Sequence, residues 1–494
     1  MATTMYLLGI DVGTSGVKAV LIDTQGQVHA SASESYPLYT PKPLWAEQNP
    51  DDWWDATCKA VQTLLKTSRV APESVRGVGL SGQMHGSVFL DEHGEVIRPA
   101  LLWCDQRTAD ECAWITECVG EAQVLETTLN PVLTGFQAGK IIWLRNHEPA
   151  AYARVRQVLL PKDYIRYRLT GEYATEVSDA SGTALFDVPH RDWAYAMLDT
   201  LELPRTWFPK VYESPEITGR VHARAAQTTG LAEGTPVVGG GGDQAAGAVG
   251  TGVVREGIAS VALGTSGVVF AHLNEPRVDR GYRTHTFCHA VPGAWHVMGV
   301  MLMAGGALQW YHDTFAPDTP YETLIDEAVS VPPGAEGLMC LPYLSGERTP
   351  YPDPHARGAF VGMTLAHKRA HFTRAVLEAV ACGLRDSLEI LKAMGLHLSE
   401  LRLTGGGARS ALWRQIIANT FGQTVHTLQA EEGPAYGVAL LAGVGTGVWQ
   451  SVPEACEQTI RLADKTDTEN DLRQTYEQVY ARYRQLYPTL KPLF

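Results

Sequence analysis

The stretch Gly9-Ile-Asp-Val-Gly-Thr-Ser-Gly-Val-Lys18 contains the pentapeptide Gly-Thr-Ser-Gly-Val, which occurs again at residues 264–268. Each copy lies between two short apolar runs, and this pattern predicts a β-hairpin with glycine, threonine and serine at its tip. Such a tip can direct backbone N–H groups and hydroxyls towards an anion, usually a phosphate. Since the copies lie roughly half the chain apart, we expect two similar domains that hold one polyphosphate from both sides. Two ordinary Gly-Ser turns are the alternative interpretation.

Two aspartates are candidates for the chemistry. Asp11 lies two residues before the first pentapeptide, where a carboxylate can face a phosphate-bound Mg²⁺. Asp243 lies within residues 236–250, whose pattern predicts a strand, a tight glycine turn and a helix of small residues. At the start of that helix, Asp243 can accept a proton from a hydroxyl that attacks a γ-phosphate. A helix N-cap is the equally weighted alternative for Asp243.

Composition places the chain among ordinary globular proteins. Its 494 residues are enough for roughly two to four domains, and we expect a boundary near residues 250–257, separating domains 1–250 and 251–494. The net charge of −14 argues against a broad basic surface for nucleic acid or an anionic membrane. Eight cysteines include no C-x-x-C pair and are expected to be buried thiols. The sequence shows no secretory signal or membrane span, so we expect a cytoplasmic protein.

The periodicity of the apolar residues predicts several elements along both halves of the chain. The pattern predicts a helix over residues 51–67, directly after Asn49-Pro50, and a buried strand over residues 75–80. Residues 372–391 repeat apolar side chains at helical spacing, and residues 401–404 read as a strand. The tail from Asp471 places its apolar residues on one face, which predicts a docked packing helix.

Several familiar nucleotide-binding and hydrolase motifs are incomplete or absent in this sequence. Residues 134–140 resemble a Walker loop, but threonine occupies the first position and Ile141 follows the lysine. The glycine run at 239–252 contains Asp243 and begins no N-terminal βαβ unit, so a dinucleotide-binding fold is rejected. The chain has neither a G-x-S-x-G elbow nor an H-E-x-x-H motif. Hydrolase and dehydrogenase interpretations therefore have no support.

Nearly the whole chain resembles the FGGY family of carbohydrate kinases. The motifs that carry this resemblance, in chain order, are residues 9–18, 43–48, 82–86, 102–107, 160–164, 239–247, 263–267, 341–350, 358–363 and 405–410. Many motifs in one order are far more specific than any single one. The resemblance implies an α/β, two-domain, actin- and hexokinase-like (ribonuclease H-like) fold with the active site in the cleft between the domains. It also implies ATP as the phosphate donor and Mg²⁺ as the cofactor.

The same resemblance implies roles for individual residues. Asp243 becomes the general base and Asp11 acts through Mg²⁺, with both carboxylates near the metal. Met84 and His85, together with Asp243 and Gln244, become the sugar contacts. Family members that phosphorylate glycerol have arginine and glutamate at the positions of Met84 and His85, and similar kinases often have asparagine at the position of Gln244. The implied nucleotide contacts are Gly13, Thr14, Ser15, Lys18, Gly264, Thr265, Gly305, Gly306, Gly405, Gly406 and Ser410.

The expected activity is ATP-dependent phosphorylation of D-xylulose to D-xylulose 5-phosphate. Another ketose, a polyol or a sugar acid is the alternative substrate within the same class. A nucleotide-gated binding protein without catalysis is the alternative from another class, but it would need no sugar-side base. The expected partner is a small sugar, not nucleic acid or a membrane, and a homodimer is an open alternative.

Overall fold

The computed structural model describes residues 5–430 and 432–494. These residues form 24 β-strands and 17 α-helices, arranged around two seven-stranded sheets. The strands of the N-terminal half are β1 (Tyr6–Val12), β2 (Gly16–Asp23), β3 (Val28–Ser35), β4 (Glu47–Gln48), β5 (Val75–Gly82), β6 (Val88–Leu90), β7 (Ala100–Leu101), β8 (Gln157–Leu159), β9 (Ala174–Glu176), β10 (Phe186–Asp187), β11 (Asp192–Trp193), β12 (Lys210–Tyr212), β13 (Ile217–Arg220), β14 (Pro236–Val238) and β15 (Gly241–Gly242). Those of the C-terminal half are β16 (Ile258–Leu263), β17 (Gly267–Leu273), β18 (His285–Cys288), β19 (Trp295–Met301), β20 (Met339–Leu341), β21 (Ala359–Val361), β22 (Glu400–Thr404), β23 (Val425–Leu428) and β24 (Leu462–Thr466).

The helices surround these sheets. In the N-terminal half they are α1 (Pro50–Ser68), α2 (Ala109–Val119), α3 (Glu121–Thr128), α4 (Gln137–His147), α5 (Pro149–Tyr152), α6 (Pro161–Thr170), α7 (Val177–Ala180), α8 (Tyr195–Thr200), α9 (Ala223–Thr229) and α10 (Asp243–Gly250). In the C-terminal half they are α11 (Gly305–Phe315), α12 (Tyr321–Val329), α13 (Arg369–Ala393), α14 (Ala411–Phe421), α15 (Gly433–Gly445), α16 (Val452–Thr459) and α17 (Arg473–Leu490).

The two large sheets repeat one topology. One sheet has the order β13-β14-β5-β1-β2-β3, with β15 as a seventh strand that pairs with the end of β5. The other sheet has the order β24-β23-β22-β16-β17-β19-β18. Matched position by position, the first six strands of each sheet have the same succession of antiparallel and parallel neighbours. The predicted α/β fold with two similar sheets is therefore confirmed.

Each sheet is built around one of the predicted hairpins. The first hairpin closes where Val12 faces Val17, and the second closes where Leu263 faces Gly267. Beside each hairpin lies a parallel strand, β5 next to β1 and β22 next to β16. The repeated pentapeptide thus marks the same structural position in both halves.

The individual elements follow from local chemistry. Helix α1 begins at Pro50, and the side chain of its N-cap Asn49 accepts a hydrogen bond from the backbone N–H of Asp51. Helix α17 buries Tyr476, Tyr480 and Tyr483, so the tail is a docked helix as predicted. All eight cysteines are free thiols, but the expectation that they are buried is wrong for the exposed Cys118 and the half-buried Cys104. Within residues 5–430 and 432–494, no helix has both the length and the apolar character needed to span a bilayer.

Helix α15 comes from the C-terminal half but packs on the N-terminal sheet and on α10. Glycine allows this close approach, because a Cβ at Gly79 of β5 would lie 1.9 Å from the carbonyl oxygen of Val438. A Cβ at Gly437 would likewise lie 1.9 Å from the carbonyl oxygen of Ala246 in α10. The two halves therefore share this helix layer, and the division of the chain near residues 250–257 stays a prediction.

A second contact joins the halves on another side of the molecule. The backbone N–H of Cys288 in β18 donates to Ser181 Oγ at 3.0 Å. Asn130 Nδ2 donates to the carbonyl oxygen of Thr286 at 2.8 Å. Asn130 and Ser181 of the N-terminal half thus attach to a strand of the C-terminal sheet.

The packing of α10 on α15 gives a prediction for stability. Gly437→Ala places a methyl group against a backbone carbonyl, so we expect the free energy of unfolding to fall by about 1–3 kcal/mol. Gly247→Ala is the matched control, because its Cβ would meet its nearest neighbour, Pro434, only at 3.8 Å. Alanine favours a helix interior over glycine, so the control should be neutral or stabilising. Thermal and chemical unfolding of both variants would measure the difference, and equal effects would contradict the close approach.

Candidate active site

Asp243 lies at the start of α10, directly after a glycine turn. Gly240 has φ of 75°, and a Cβ there would lie 1.9 Å from the carbonyl oxygen of Leu80. Strand β15 then pairs in parallel with the end of β5, and α10 begins at Asp243. Gly242 occupies the N-cap position and no side chain caps the helix, so the N-cap interpretation of Asp243 is wrong. The carboxylate therefore caps no helix, and the hydrogen bonds that lower its pKa come from Gln244.

Asp11 approaches the same place from the neighbouring strand. In the sheet, Asp11 of β1 is level with Ser81 of β5, and Ser81 is level with Gly241 on its other side. The Asp11 side chain is half-buried, but its Oδ1 atom is buried and has no hydrogen-bond partner among the described residues. Burial raises the pKa of Asp11 to about 6, although Ser81 and the Lys18 ammonium lower it.

The two carboxylates affect each other. Burial and the negative charge of Asp11 together raise the pKa of Asp243 to about 7, although hydrogen bonds from Gln244 oppose this rise. Two acidic groups in this relation favour either a shared proton or a bound cation. In the described part of the chain, no group of three or more His, Cys, Asp or Glu side chains is arranged to hold a metal.

Met84 and His85 follow β5 and form a wall against Gly182, since a Cβ on that glycine would meet both side chains. Met84 is buried against the N-cap glycine of α10, since a Cβ on Gly242 would lie 3.0 Å from Met84 Sδ. His85 Nδ1 lies 2.6 Å from the carbonyl oxygen of Gly182. Because a carbonyl oxygen only accepts, Nδ1 carries the proton and Nε2 is left as an acceptor. Burial lowers the pKa of His85 to about 3, which keeps the imidazole neutral.

The ring of His85 belongs to an aromatic cluster that both halves provide. It stacks on Phe136 with ring centroids 4.6 Å apart. Phe136 in turn lies 6.0 Å from both His285 and Phe287 of the C-terminal sheet. The half-buried Arg348 adds positive charge here, which contributes to lowering the pKa of both histidines. Sequence reasoning missed these neighbours of His85, because they are remote along the chain and lie in no shared motif.

The tip of the first hairpin is held by protein partners. Thr14 Oγ1 accepts from Trp103 Nε1 at 2.9 Å and donates to Gln83 Oε1 at 3.3 Å. The N–H of Gly13 donates across the turn to the carbonyl oxygen of Gly16 at 3.0 Å. The Thr14 hydroxyl is therefore fixed in position rather than free to rotate.

Two further residues of this hairpin differ in their surroundings. Ser15 is exposed at the tip. Lys18 lies on β2 opposite Asp11, and its ammonium forms an ion pair with Glu432 at 2.6 Å. A phosphate contact from Lys18 requires exchange of this carboxylate for the phosphate.

The second hairpin lies against two glycine-rich segments. The N–H of Gly305 donates to the carbonyl oxygen of Gly264 at 2.8 Å, and that of Gly306 donates to the carbonyl oxygen of Thr265 at 3.0 Å. A Cβ at Gly405 would lie 3.2 Å from the backbone nitrogen of Gly264. The structure thus brings these five predicted nucleotide contacts together.

The remaining two predicted contacts lie just beyond Gly405. A Cβ at Gly406 would meet no atom within 4 Å, so the space beside this glycine is open. Ser410 is the N-cap of α14, and its hydroxyl accepts from the backbone N–H of Trp413 at 3.2 Å. Ser410 therefore has a structural partner already.

The chain matches known proteins along both halves. Residues 6–250 match the N-terminal domain of the FGGY family of carbohydrate kinases, and residues 259–446 match its C-terminal domain. The xylulose kinase of Escherichia coli (strain K12) is 41% identical over 99% of this chain and 100% of its own length. That of Bacillus subtilis (strain 168) is 39% identical over 99% of this chain and 98% of its own.

A solved structure agrees with these sequence matches. The crystal structure of xylulose kinase from Rhodospirillum rubrum superimposes with a TM-score of 0.91, at 31% identity, over 99% of each chain. Both domain matches and both full-length relatives point to one assignment. This chain belongs to the FGGY family of carbohydrate kinases.

Proposed function

We propose that this enzyme transfers the γ-phosphate of ATP to D-xylulose and releases D-xylulose 5-phosphate and ADP. The proposal is supported by the match of this chain to xylulose kinases over 99% of its length and by the interaction of the Asp11 and Asp243 carboxylates. The family supplies the phosphate donor, because its members are carbohydrate kinases. As the sequence predicts, we propose the cytoplasm as the compartment.

In this proposal Asp243 is the general base. Its carboxylate takes the proton of the sugar's 5-hydroxyl while the hydroxyl oxygen bonds to the γ-phosphorus and the bond to the β-phosphate oxygen breaks. Burial and the charge of Asp11 raise the pKa of Asp243, and a more basic carboxylate is a better proton acceptor. ADP leaves with the electron pair of the broken bond.

Asp11 fits a divalent cation. Its buried Oδ1 lacks a hydrogen bond in the described structure, and a second carboxylate lies nearby, which is a donor set that Mg²⁺ accepts together with phosphate oxygens. Asp11 and Asp243 would hold the ion, which supplies neutralisation of the phosphate charge. Without a cation, the two carboxylates would repel each other.

The sugar is proposed to lie along the wall of Met84 and His85. The Nε2 atom of His85 accepts a hydrogen bond from a sugar hydroxyl, since Nδ1 already carries the proton. Met84 gives a carbon face to the sugar backbone, and Gln244 lies next to the base. A neutral acceptor of this kind suits an uncharged polyhydroxylated substrate.

The nucleotide is proposed to lie between the two hairpins. The first hairpin offers Gly13, Thr14, Ser15 and Lys18 to the phosphates, with Lys18 exchanging its partner Glu432. In this proposal the backbone of the glycine-rich cluster around Gly264 lies close to the nucleotide. The open space beside Gly406 leaves room for the nucleotide. The residues proposed there are Gly264, Thr265, Gly305, Gly306, Gly405, Gly406 and Ser410.

A substrate panel tests the proposed reaction. ADP release measured with D-xylulose, other ketoses, polyols and sugar acids should give the highest kcat/KM with D-xylulose. A higher value for a polyol or a sugar acid would replace the proposed substrate. ATP binding with no sugar-dependent ADP release would favour the nucleotide-gated binding protein instead.

Removal of the proposed base is the second test. Asp243→Asn keeps the shape of the side chain but cannot take the proton, so kcat should fall by a factor on the order of 10² or more. Calorimetric xylulose affinity should stay within a small factor, because the amide still hydrogen-bonds the hydroxyl. Asp110→Asn is the control, an exposed aspartate in the first turn of α2, and should leave kcat unchanged. A near-normal kcat for Asp243→Asn would remove Asp243 from the mechanism.

The third test concerns the metal. Asp11→Ala should lower kcat and raise the Mg²⁺ concentration needed for half-maximal rate, because one of two protein carboxylates for the ion is lost. Xylulose affinity measured by calorimetry should change little. If Asp11 only stabilises the end of its strand, the variant will unfold earlier but show normal Mg²⁺ dependence per folded molecule.

A further inference from the structure

Lys140 is a fully buried lysine that the proposed reaction does not use. It lies in the first turn of α4, and its side chain has no solvent exposure. Its Nζ donates to the carbonyl oxygen of Gly135 at 2.6 Å and to that of His85 at 2.8 Å. In the described chain, no carboxylate forms an ion pair with it. Lys140 therefore joins the loop before α4 to the loop that carries His85.

This placement is unfavourable for an ammonium group. Burial removes its hydration, and the N-terminal end of a helix is the positive end of the helix dipole. Burial lowers the pKa of Lys140 to about 7, although the charge of Asp105 raises it. The contacts that compensate are the two carbonyls, which a neutral amine can also satisfy because it retains two N–H donors.

The carbonyl of His85 belongs to a strained stretch of backbone. His85 has φ of 68°, a left-handed conformation that is unfavourable for a residue with a Cβ. The next carbonyl, that of Gly86, accepts from Gln137 Nε2 at 3.0 Å. Two side chains of the first turn of α4 thus donate hydrogen bonds to two successive carbonyls of this bend. The imidazole of His85 is bound separately, by the carbonyl of Gly182.

We infer that Lys140 is a positioning residue for sugar binding, which holds His85 in the conformation that directs its Nε2 atom at a sugar hydroxyl. The inference rests on the proposed function, because it takes His85 as a sugar contact. Lys140 itself touches no ligand, since its ammonium is enclosed and both of its acceptors are backbone atoms. The lysine that resembled part of a Walker loop thus contacts the loop that carries the proposed sugar contact His85.

The alternative is that Lys140 only fills the core. Loss of core packing would destabilise the fold and affect both substrates alike. We call the hydrogen bond from Lys140 Nζ to the carbonyl of His85 the clamp. Its loss would instead weaken sugar binding and leave ATP binding intact. The KM values for the two substrates therefore separate the two roles.

The experiment is steady-state kinetics of Lys140→Met, which keeps most of the side-chain volume but removes both hydrogen bonds. We expect the KM for D-xylulose to rise about tenfold or more, with the KM for ATP within about twofold of the wild type. Ile141→Val is the matched control, because it removes a buried methyl group from the same helix and leaves the clamp intact. That control should leave both KM values unchanged. Equal changes for both substrates, or no change, would overturn the inference.

A double-mutant cycle shows whether Lys140 acts through His85. In the His85→Ala background, Lys140→Met should raise the KM for D-xylulose less than about threefold further. If the KM of the double variant instead rises by the product of the two single-variant effects, the inference is overturned. If Lys140→Met does not fold, Lys140→Gln keeps one amide donor on a shorter side chain, and the same comparison of sugar and ATP applies to it.

The wild type separates this inference from the proposed function. If wild-type enzyme fails with D-xylulose but phosphorylates another sugar, the proposed substrate is wrong, and the same variants are compared with that sugar. A wild type that phosphorylates D-xylulose, with variants that keep its KM, would overturn the inference alone.

Discussion

Two carboxylates, Asp11 and Asp243, lie where three strands of one sheet end, and their mutual repulsion is the constraint on which the site depends. Strand β5 lies between β1, which carries Asp11, and β15, which ends directly before Asp243. Burial disfavours the negatively charged form of both carboxyl groups and so raises the pKa of each. A cation and a hydroxyl proton relieve that repulsion, and these are what phosphoryl transfer to a sugar provides. The proposed chemistry thus follows from where the sheet ends.

The architecture supports this pair through close backbone contacts. Gly240 makes the bend that turns β14 into β15 beside the end of β5, and Gly79 lets α15 lie directly on the same strand. Helix α15 therefore ties the C-terminal half to the strand that places the carboxylates. The wall of Met84 and His85, the proposed sugar contacts, depends on β5 as well, since both residues follow it. The residues proposed as base, metal ligand and sugar contacts therefore all lie beside or directly after one strand.

Local sequence signals predicted the elements but not the contacts between distant ones. The repeated pentapeptide located both hairpins, and the glycine run located the helix that begins at Asp243. The N-cap interpretation of that aspartate failed because Gly242 occupies the position instead. The contact of His85 with Gly182 joins residues 97 positions apart, and that of Lys140 with His85 joins residues 55 apart. Such contacts carry no periodic or motif signal, so only the folded chain shows them.

A crystal structure of the enzyme with D-xylulose, Mg²⁺ and a non-hydrolysable ATP analogue would show whether Asp243 faces the hydroxyl that receives the phosphate. We predict that the 5-hydroxyl of the sugar lies within hydrogen-bond distance of the Asp243 carboxylate. We also predict the metal at Asp11 and another sugar hydroxyl at His85 Nε2. A sugar bound with its 5-hydroxyl directed away from Asp243, or phosphates bound away from Asp11, would contradict the proposed mechanism.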